Sequence, residues 1–202
     1  MKSEKEKDFL KHFEKFVKLE KKIGELVTEA KRPYTLNSRL YNDLKKDINR
    51  LFFRNTMFIR DGECLLNNVN HILSLLNKKY SILKSGEKII NDMRNSAKKM
   101  EESKKRSLMR LCYLLRKKSY YLKQNNQTQT EFFKLYEKVG KYAIKCGKGL
   151  TSTKNFKDEH YSLSKKAENF TLIIINNDDV LRELDNEAFA LMRKYKEIVN
   201  LF

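Results

Sequence analysis

The stretch LSKKAENFTLIIINNDDVLRELDNEAFALMRKYKEIVNLF, residues 163 to 202, decides how this chain folds. Leu163, Ala167, Phe170, Ile174, Asn177, Leu181, Leu184, Ala188, Leu191, Tyr195, Ile198 and Phe202 follow alternating steps of four and three without a slip. Eleven of these twelve positions are nonpolar, where a 40% hydrophobic composition predicts about five. The pattern predicts one helix from about 157 to 202, whose periodic part spans about 60 Å at 1.5 Å per residue. A single polar member, Asn177, sits in the seam, where it can fix register or partner number or simply be tolerated.

The same reading extends towards the N-terminus. Ser3 stands where a helix cap belongs, and Glu4, Glu6 and Asp8 suit the positive end of a helix dipole. Phe9, Phe13, Phe16, Glu20, Ile23, Val27 and Ala30 repeat the four-three spacing. Pro33 lacks an amide hydrogen and should kink the helix near Arg32 before it resumes through Leu36, Leu40 and Leu44. A kinked first helix over about 4–59 follows, with Asp61-Gly62 as the first turn. A second helix is expected over about 63–123. The uncharged run Gln124 to Thr130 reads as a loop, a short helix as 131–145, and 147–156 as the clearest loop. The fold class is therefore all-α: three long kinked antiparallel helices forming a single coiled-coil domain, 1–202, with a tip at about 124–156. Apolar positions beside the seams, among them Leu10, Val17, Leu19, Ile173, Ile175, Phe189 and Met192, leave surface for a second copy, which makes an elongated homodimer the economical solution. A monomeric bundle of four or five helices with a wide core is the alternative.

Composition narrows function. Three cysteines without paired spacing and no secretory signal predict an intracellular, cytoplasmic, thiol-reduced chain. The longest uncharged run, Cys64 to Asn77, contains four asparagines and is too short to span a bilayer. His12, His71 and His160 are isolated, and Cys64 with His71 reads better as a buried thiol and a capping or core histidine than as a metal pair. Gly147-Lys148-Gly149-Leu150-Thr151 lacks the spacing of a phosphate loop. The expectation is no enzyme, no cofactor, no metal and no small-molecule substrate.

Charge is the informative property. The chain carries 44 Lys and Arg against 26 Asp and Glu, a net +18. Residues 98 to 123 contribute Lys98, Lys99, Lys104, Lys105, Arg106, Arg110, Arg116, Lys117, Lys118 and Lys123 against Glu101 and Glu102, a net +8. Residues 134 to 157 add a net +6, while residues 176 to 202 come to −2. Such segregation marks a binding face for a polyanion, either an anionic membrane leaflet or nucleic acid.

Short stretches of the chain resemble BAR domains of the amphiphysin and endophilin type. The first helix reads Phe16-x-x-Leu19-Glu20-x-x-Ile23-x-x-Leu26-x-x-Glu29-Ala30-Lys31-Arg32-x-Tyr34. Lys104-Lys105-Arg106 and Arg116-Lys117-Lys118-x-x-Tyr121 resemble the family's basic stretch, and Leu163-x-Lys165-x-Ala167-x-x-Phe170 the early part of its third helix. Leu122 stands where the family often has aspartate, and the seam starting at Phe9 implies a member without the N-terminal amphipathic wedge.

The resemblance implies a peripheral membrane protein, an antiparallel dimer with itself or a related chain, that scaffolds or senses curvature on anionic phospholipid. Lys98, Lys99, Lys104, Lys105, Arg106, Arg110, Arg116, Lys117 and Lys118 would form the lipid face. Lys145, Lys148 and Lys154 would lie at the tip. From the four-three spacing itself, Phe9, Phe13, Phe16, Ile23, Phe170, Ile174, Leu181, Leu184, Leu191, Tyr195 and Ile198 are expected to form the dimer or coiled-coil seam. A nucleic-acid- or ribosome-associated helical protein and a coiled-coil adaptor for another protein are the alternatives that share the same charges and seams.

Overall fold

A computed structural model describes residues 3–49 and 55–194. It is all-helical, as the periodicity predicts, but four helices replace the expected three: α1 (Glu4–Asn49), α2 (Asn55–Lys98), α3 (Glu102–Gly147) and α4 (Thr153–Met192). No strand occurs among the described residues. The expected seam residues Tyr195 and Ile198 lie outside them.

Local chemistry explains each boundary that can be described. Ser3 and Glu6 form a reciprocal cap: the Glu6 amide donates to Ser3 Oγ at 3.3 Å and the Ser3 amide to Glu6 Oε2 at 3.2 Å. α1 runs through Pro33, and two residues on the Thr35 hydroxyl donates to the Lys31 carbonyl at 3.0 Å. The break between α2 and α3 falls at Lys99 to Glu101, inside the expected second helix and without glycine or proline. The charge pattern suits both ends there, with Lys98 in the last turn of α2 and Glu102 in the first turn of α3.

At the other end of α3, Gly149 adopts φ 69°, which an L side chain rarely tolerates. The Leu150 amide then reaches the Lys145 carbonyl at 2.8 Å and the Gly149 amide the Cys146 carbonyl at 3.0 Å, closing the helix in a Schellman turn. Ser152 caps α4 by accepting from the Asn155 amide at 3.1 Å.

Two expected loops are helix interior. Asp61-Gly62 lies within α2, where the glycine permits a close approach to α3 at Gly140 rather than a turn. Gln124 to Thr130, together with the expected short helix 131–145, belongs to α3. Asn125 and Asn126 of that uncharged run are buried, and Asn125 has partners there: it is 3% exposed, donates to Asp178 Oδ1 at 2.7 Å and accepts from Asn177 Nδ2 at 2.8 Å. Asn177, the polar member of the last seam, is thereby accounted for.

The chain forms two compact units, each drawing on all four helices. The first comprises Met1–Leu26, Lys78–Asn126 and Ile175–Phe202, and the second Val27–Asn77 and Gln127–Ile174. In the first unit Phe9, Phe13 and Phe16 of α1 pack with Ile90, Met93, Leu111, Leu115, Leu184 and Ala188. In the second, Leu44, Leu65, Val69, Ile72, Phe132, Val139, Phe156 and Leu163 make the core. There Tyr41 stacks between Tyr136, at 4.7 Å, and His160, at 4.5 Å. Burial raises the pKa of both tyrosine hydroxyls. His160 is thus a core histidine, whereas His71 is exposed, 3.8 Å from Glu29.

The described residues of the expected dimer or coiled-coil seam are covered in large part by the chain's own helices. Phe9, Phe13, Phe16, Leu181 and Leu184 are buried, and Ile23, Phe170, Ile174 and Leu191 are half-buried. The fourth helix is the physical reason: four apolar stripes in one chain can cover one another, where three would leave a gap.

Lys79 in the first unit is 8% exposed, and burial lowers its pKa although Asp178 partly opposes the shift. Replacing Lys79 with Met keeps the length of the side chain and removes the desolvated charge, while Asp178 retains its bond from Asn125. Thermal unfolding of Lys79→Met is expected to show a gain of about 1 kcal/mol, a rise in Tm of about 2–4 °C.

Candidate anion-binding face on α3

The first unit holds 27 Lys and Arg against 16 Asp and Glu, and the second 17 against 10. The first therefore carries most of the excess, and much of its cation-rich segment lies on α3. The structure divides the residues expected to face lipid into two groups.

One group is engaged in ion pairs within the chain, although Lys104, Arg106 and Arg110 stay exposed. Lys104 pairs with Glu6 of α1. Lys105 and Arg106 reach Glu102, one turn earlier on α3, at 3.2 and 3.4 Å, and hydrogen bonding and charge from Lys105, then Arg106, hold the Glu102 carboxyl below its usual range. Arg110 donates to Glu187 of α4 from Nη2 at 2.6 Å and Nε at 2.9 Å.

Lys118 points inward, 2.7 Å from both Glu20 of α1 and Asp185 of α4. Burial by itself would push the Lys118 ammonium down, but Glu20 and Asp185 outweigh it and hold the pKa above the ordinary lysine value. Lys118 is consequently a tie between three helices and not part of an outer face. Lys123 is similarly tied to Glu87 of α2 at 2.5 Å.

The other group is exposed and makes no such pairs among the described residues. Lys98 and Lys99 lie at the α2 to α3 connection, and Arg116 and Lys117 lie on the outside of α3, with no ion-pair partner among the described residues. Tyr113 and Tyr120, 53% and 55% exposed, flank Arg116 and Lys117 at helical spacings that put all four on one face. The Arg110 guanidinium lies 5.2 Å from the Tyr113 ring centroid, and Gln124 Nε2 donates to the Tyr120 hydroxyl at 2.7 Å. Cation and ring alternate along two turns of helix.

No protein family, curated protein or solved structure matches this chain. Its surface chemistry must be read on its own terms.

The expected tip residues belong to the second unit, around the α3 to α4 connection. Lys145 lies 5.8 Å from the Tyr142 ring centroid, and Lys148, in the 148–152 turn, and Lys154, in the first turn of α4, are exposed. Sequence reasoning grouped the basic residues by segment and did not single out Tyr113 and Tyr120, whose seven-residue spacing inside the basic run was the available signal. It also counted Lys118 as surface, and nothing local indicates that Glu20 and Asp185 converge on it from helices far away in the chain. Among the described residues, no helix is long and apolar enough to cross a membrane.

Proposed function

We propose that this chain is a non-catalytic protein that binds peripherally to anionic membranes, resting the outer face of α3 on lipid headgroups. The observation that carries the reading is the stripe Tyr113, Arg116, Lys117 and Tyr120, in which two exposed cations with no ion-pair partner among the described residues lie between exposed tyrosines.

A tyrosine has an apolar ring and a polar end and suits the headgroup layer. Each Lys or Arg near an anionic leaflet contributes about 1 kcal/mol. Lys98 and Lys99 add charge at the α2 to α3 connection, and Lys145, Lys148 and Lys154 supply a second basic cluster in the other unit. The BAR-like stretch Arg116-Lys117-Lys118-x-x-Tyr121 supports the same surface, with Lys118 removed from it.

Sedimentation with vesicles of phosphatidylcholine containing increasing phosphatidylserine tests the proposal. Binding is expected to rise with anionic lipid and fall with salt. The double variant Arg116→Glu, Lys117→Glu is expected to weaken partitioning about 30-fold or more, since two attractive terms of about 1 kcal/mol each become repulsive. Indifference of the native protein to phosphatidylserine would overturn the reading. Salt-sensitive binding to RNA or DNA without vesicle binding would replace it with the nucleic-acid alternative.

A further inference from the structure

The first unit contains a cleft set apart from the outer face of α3. Its volume is about 320 Å³, and it is bounded by α1, α3 and α4, with every lining residue inside that one unit. Such a volume lies at the lower end of the range for small-molecule sites and well above the voids that close packing leaves in a core. Phe13, Phe16, Leu115, Ala188 and Met192, all buried, line it, and Phe189, 45% exposed, marks its open side.

The charged lining groups sit together. Lys118 Nζ lies 2.7 Å from Glu20 Oε1 of α1 and 2.7 Å from Asp185 Oδ1 of α4. Lys104 and Lys118 pair in step with Glu6 and Glu20, so α1 runs parallel to α3. Arg110, Lys118 and Asn125 meet Glu187, Asp185 and Asp178 in reverse order, so α4 runs against both. Phe13, seven residues before Glu20, and Met192, seven residues after Asp185, therefore share the far end, two helical turns or about 10 Å away. The cleft is charged at one end and apolar at the other.

Two carboxylates against one ammonium give the lining a net −1. Lys118 approaches one oxygen of each carboxylate, which leaves the second oxygen of each to accept from a further donor. The Arg193 guanidinium, 4.6 Å from the Phe189 ring centroid, is exposed, two turns from Asp185 and not part of the lining, so it does not neutralise the charged end.

We infer that this cleft binds a small amphiphilic amine, its protonated nitrogen between Glu20 and Asp185 and an alkyl body of about eight carbons along Phe13, Ala188 and Met192. A cation completes the charge balance at the polar end. An anion would have to displace a carboxylate from Lys118 and leave it partly desolvated without a partner. A hydrocarbon tail suits the two turns of apolar side chains beyond.

Isothermal titration calorimetry with octylamine, 1-octanol and octanoate tests the inference, with circular dichroism to check that each variant folds. Octylamine is expected to bind a single site with Kd on the order of 100 μM, and octanol and octanoate at least about tenfold more weakly. Asp185→Asn keeps the shape of the side chain and leaves Lys118 paired with Glu20. It is expected to weaken octylamine about tenfold while leaving octanol within about twofold. With ¹³C-labelled methionine methyls, octylamine is expected to shift the signal of Met192 most among the six methionines, Met192→Leu identifying that signal. Octylamine that does not saturate the protein by a few millimolar overturns the inference. So does octanoate binding as tightly as octylamine, an Asp185→Asn variant with native octylamine affinity, or a shift that falls on methionines other than Met192.

Discussion

Gly62→Ala is expected to destabilise the protein by about 2–3 kcal/mol, whereas Gly24→Ala is expected to stabilise it by about 0.8 kcal/mol. A Cβ at Gly62 would stand 2.8 Å from the carbonyl oxygen of Gly140, 2.9 Å from Ile144 Cγ1 and 3.2 Å from Ala143 Cβ. The first of these belongs to the backbone of α3 and cannot turn aside, so the two helices must move apart and loosen Val139 and Ala143, both fully buried. That cost exceeds the gain of about 1 kcal/mol from removing a helical glycine. At Gly24 a Cβ meets nothing within 4 Å, so the propensity gain stands alone.

Gly140→Ala belongs between the two, because two of its three nearest atoms are the movable Leu66 Cδ2 and Cγ, both at 3.0 Å. Thermal unfolding reads the series directly: for a chain of this length Tm should fall by about 4–10 °C for Gly62→Ala and rise for Gly24→Ala. Equal and small effects at all three positions would mean that α2 and α3 do not cross as closely as Gly62 and Gly140 indicate.

The same glycine shows where local sequence ceases to specify the fold. A glycine after aspartate is a good turn signal, yet at Gly62 the absent side chain serves a contact with residues almost eighty positions away. Periodicity, by contrast, marks most of the core, although Val27 of the first seam is exposed. Phe9, Phe13 and Phe16, and Leu181, Leu184 and Ala188, are buried as their spacing requires. The Ser3 cap and the stop at Gly149 follow from residue chemistry alone.

Two further misread stretches have opposite signatures. Lys98 to Glu102 breaks the helix without glycine or proline, its trace being a switch from basic to acidic charge. Gln124 to Thr130 looks like a loop because it is polar and uncharged, but Asn125 is matched by Asn177 and Asp178 of α4. Composition cannot reveal that pairing. The proposed binding face shares this limit, since a count of lysines does not separate Arg116 and Lys117, which face water, from Lys118, which does not.

Lys118→Met should separate those roles. It is expected to cost about 2 kcal/mol of stability while leaving vesicle partitioning within about threefold of the native value, the reverse of Arg116→Glu, Lys117→Glu. The magnitude lies between two limits: exposed ion pairs contribute at most about 1 kcal/mol, and removing one partner of a buried pair costs about 3–5 kcal/mol. The Lys118 side chain is 18% exposed and that of Glu20 26%, which places the site between them. Without the ammonium, Glu20 and Asp185 face each other's charge in a part of the first unit packed by Phe16 and Leu115.

pH supplies an independent reading of the same group. The folded-state pKa of Lys118 is raised above the unfolded value of about 10.4, so its contribution is fully present below that pH and is lost as pH rises through the folded value. Burial also pushes the Cys112 thiol up, to about 12, which removes stability in the same alkaline direction in native and variant alike. The difference in stability between native protein and Lys118→Met therefore isolates the lysine. It should be constant from neutral pH to about 10 and shrink above it. A difference that stays flat through that range, or a Lys118→Met variant that folds normally but releases vesicles, would return Lys118 to the lipid face.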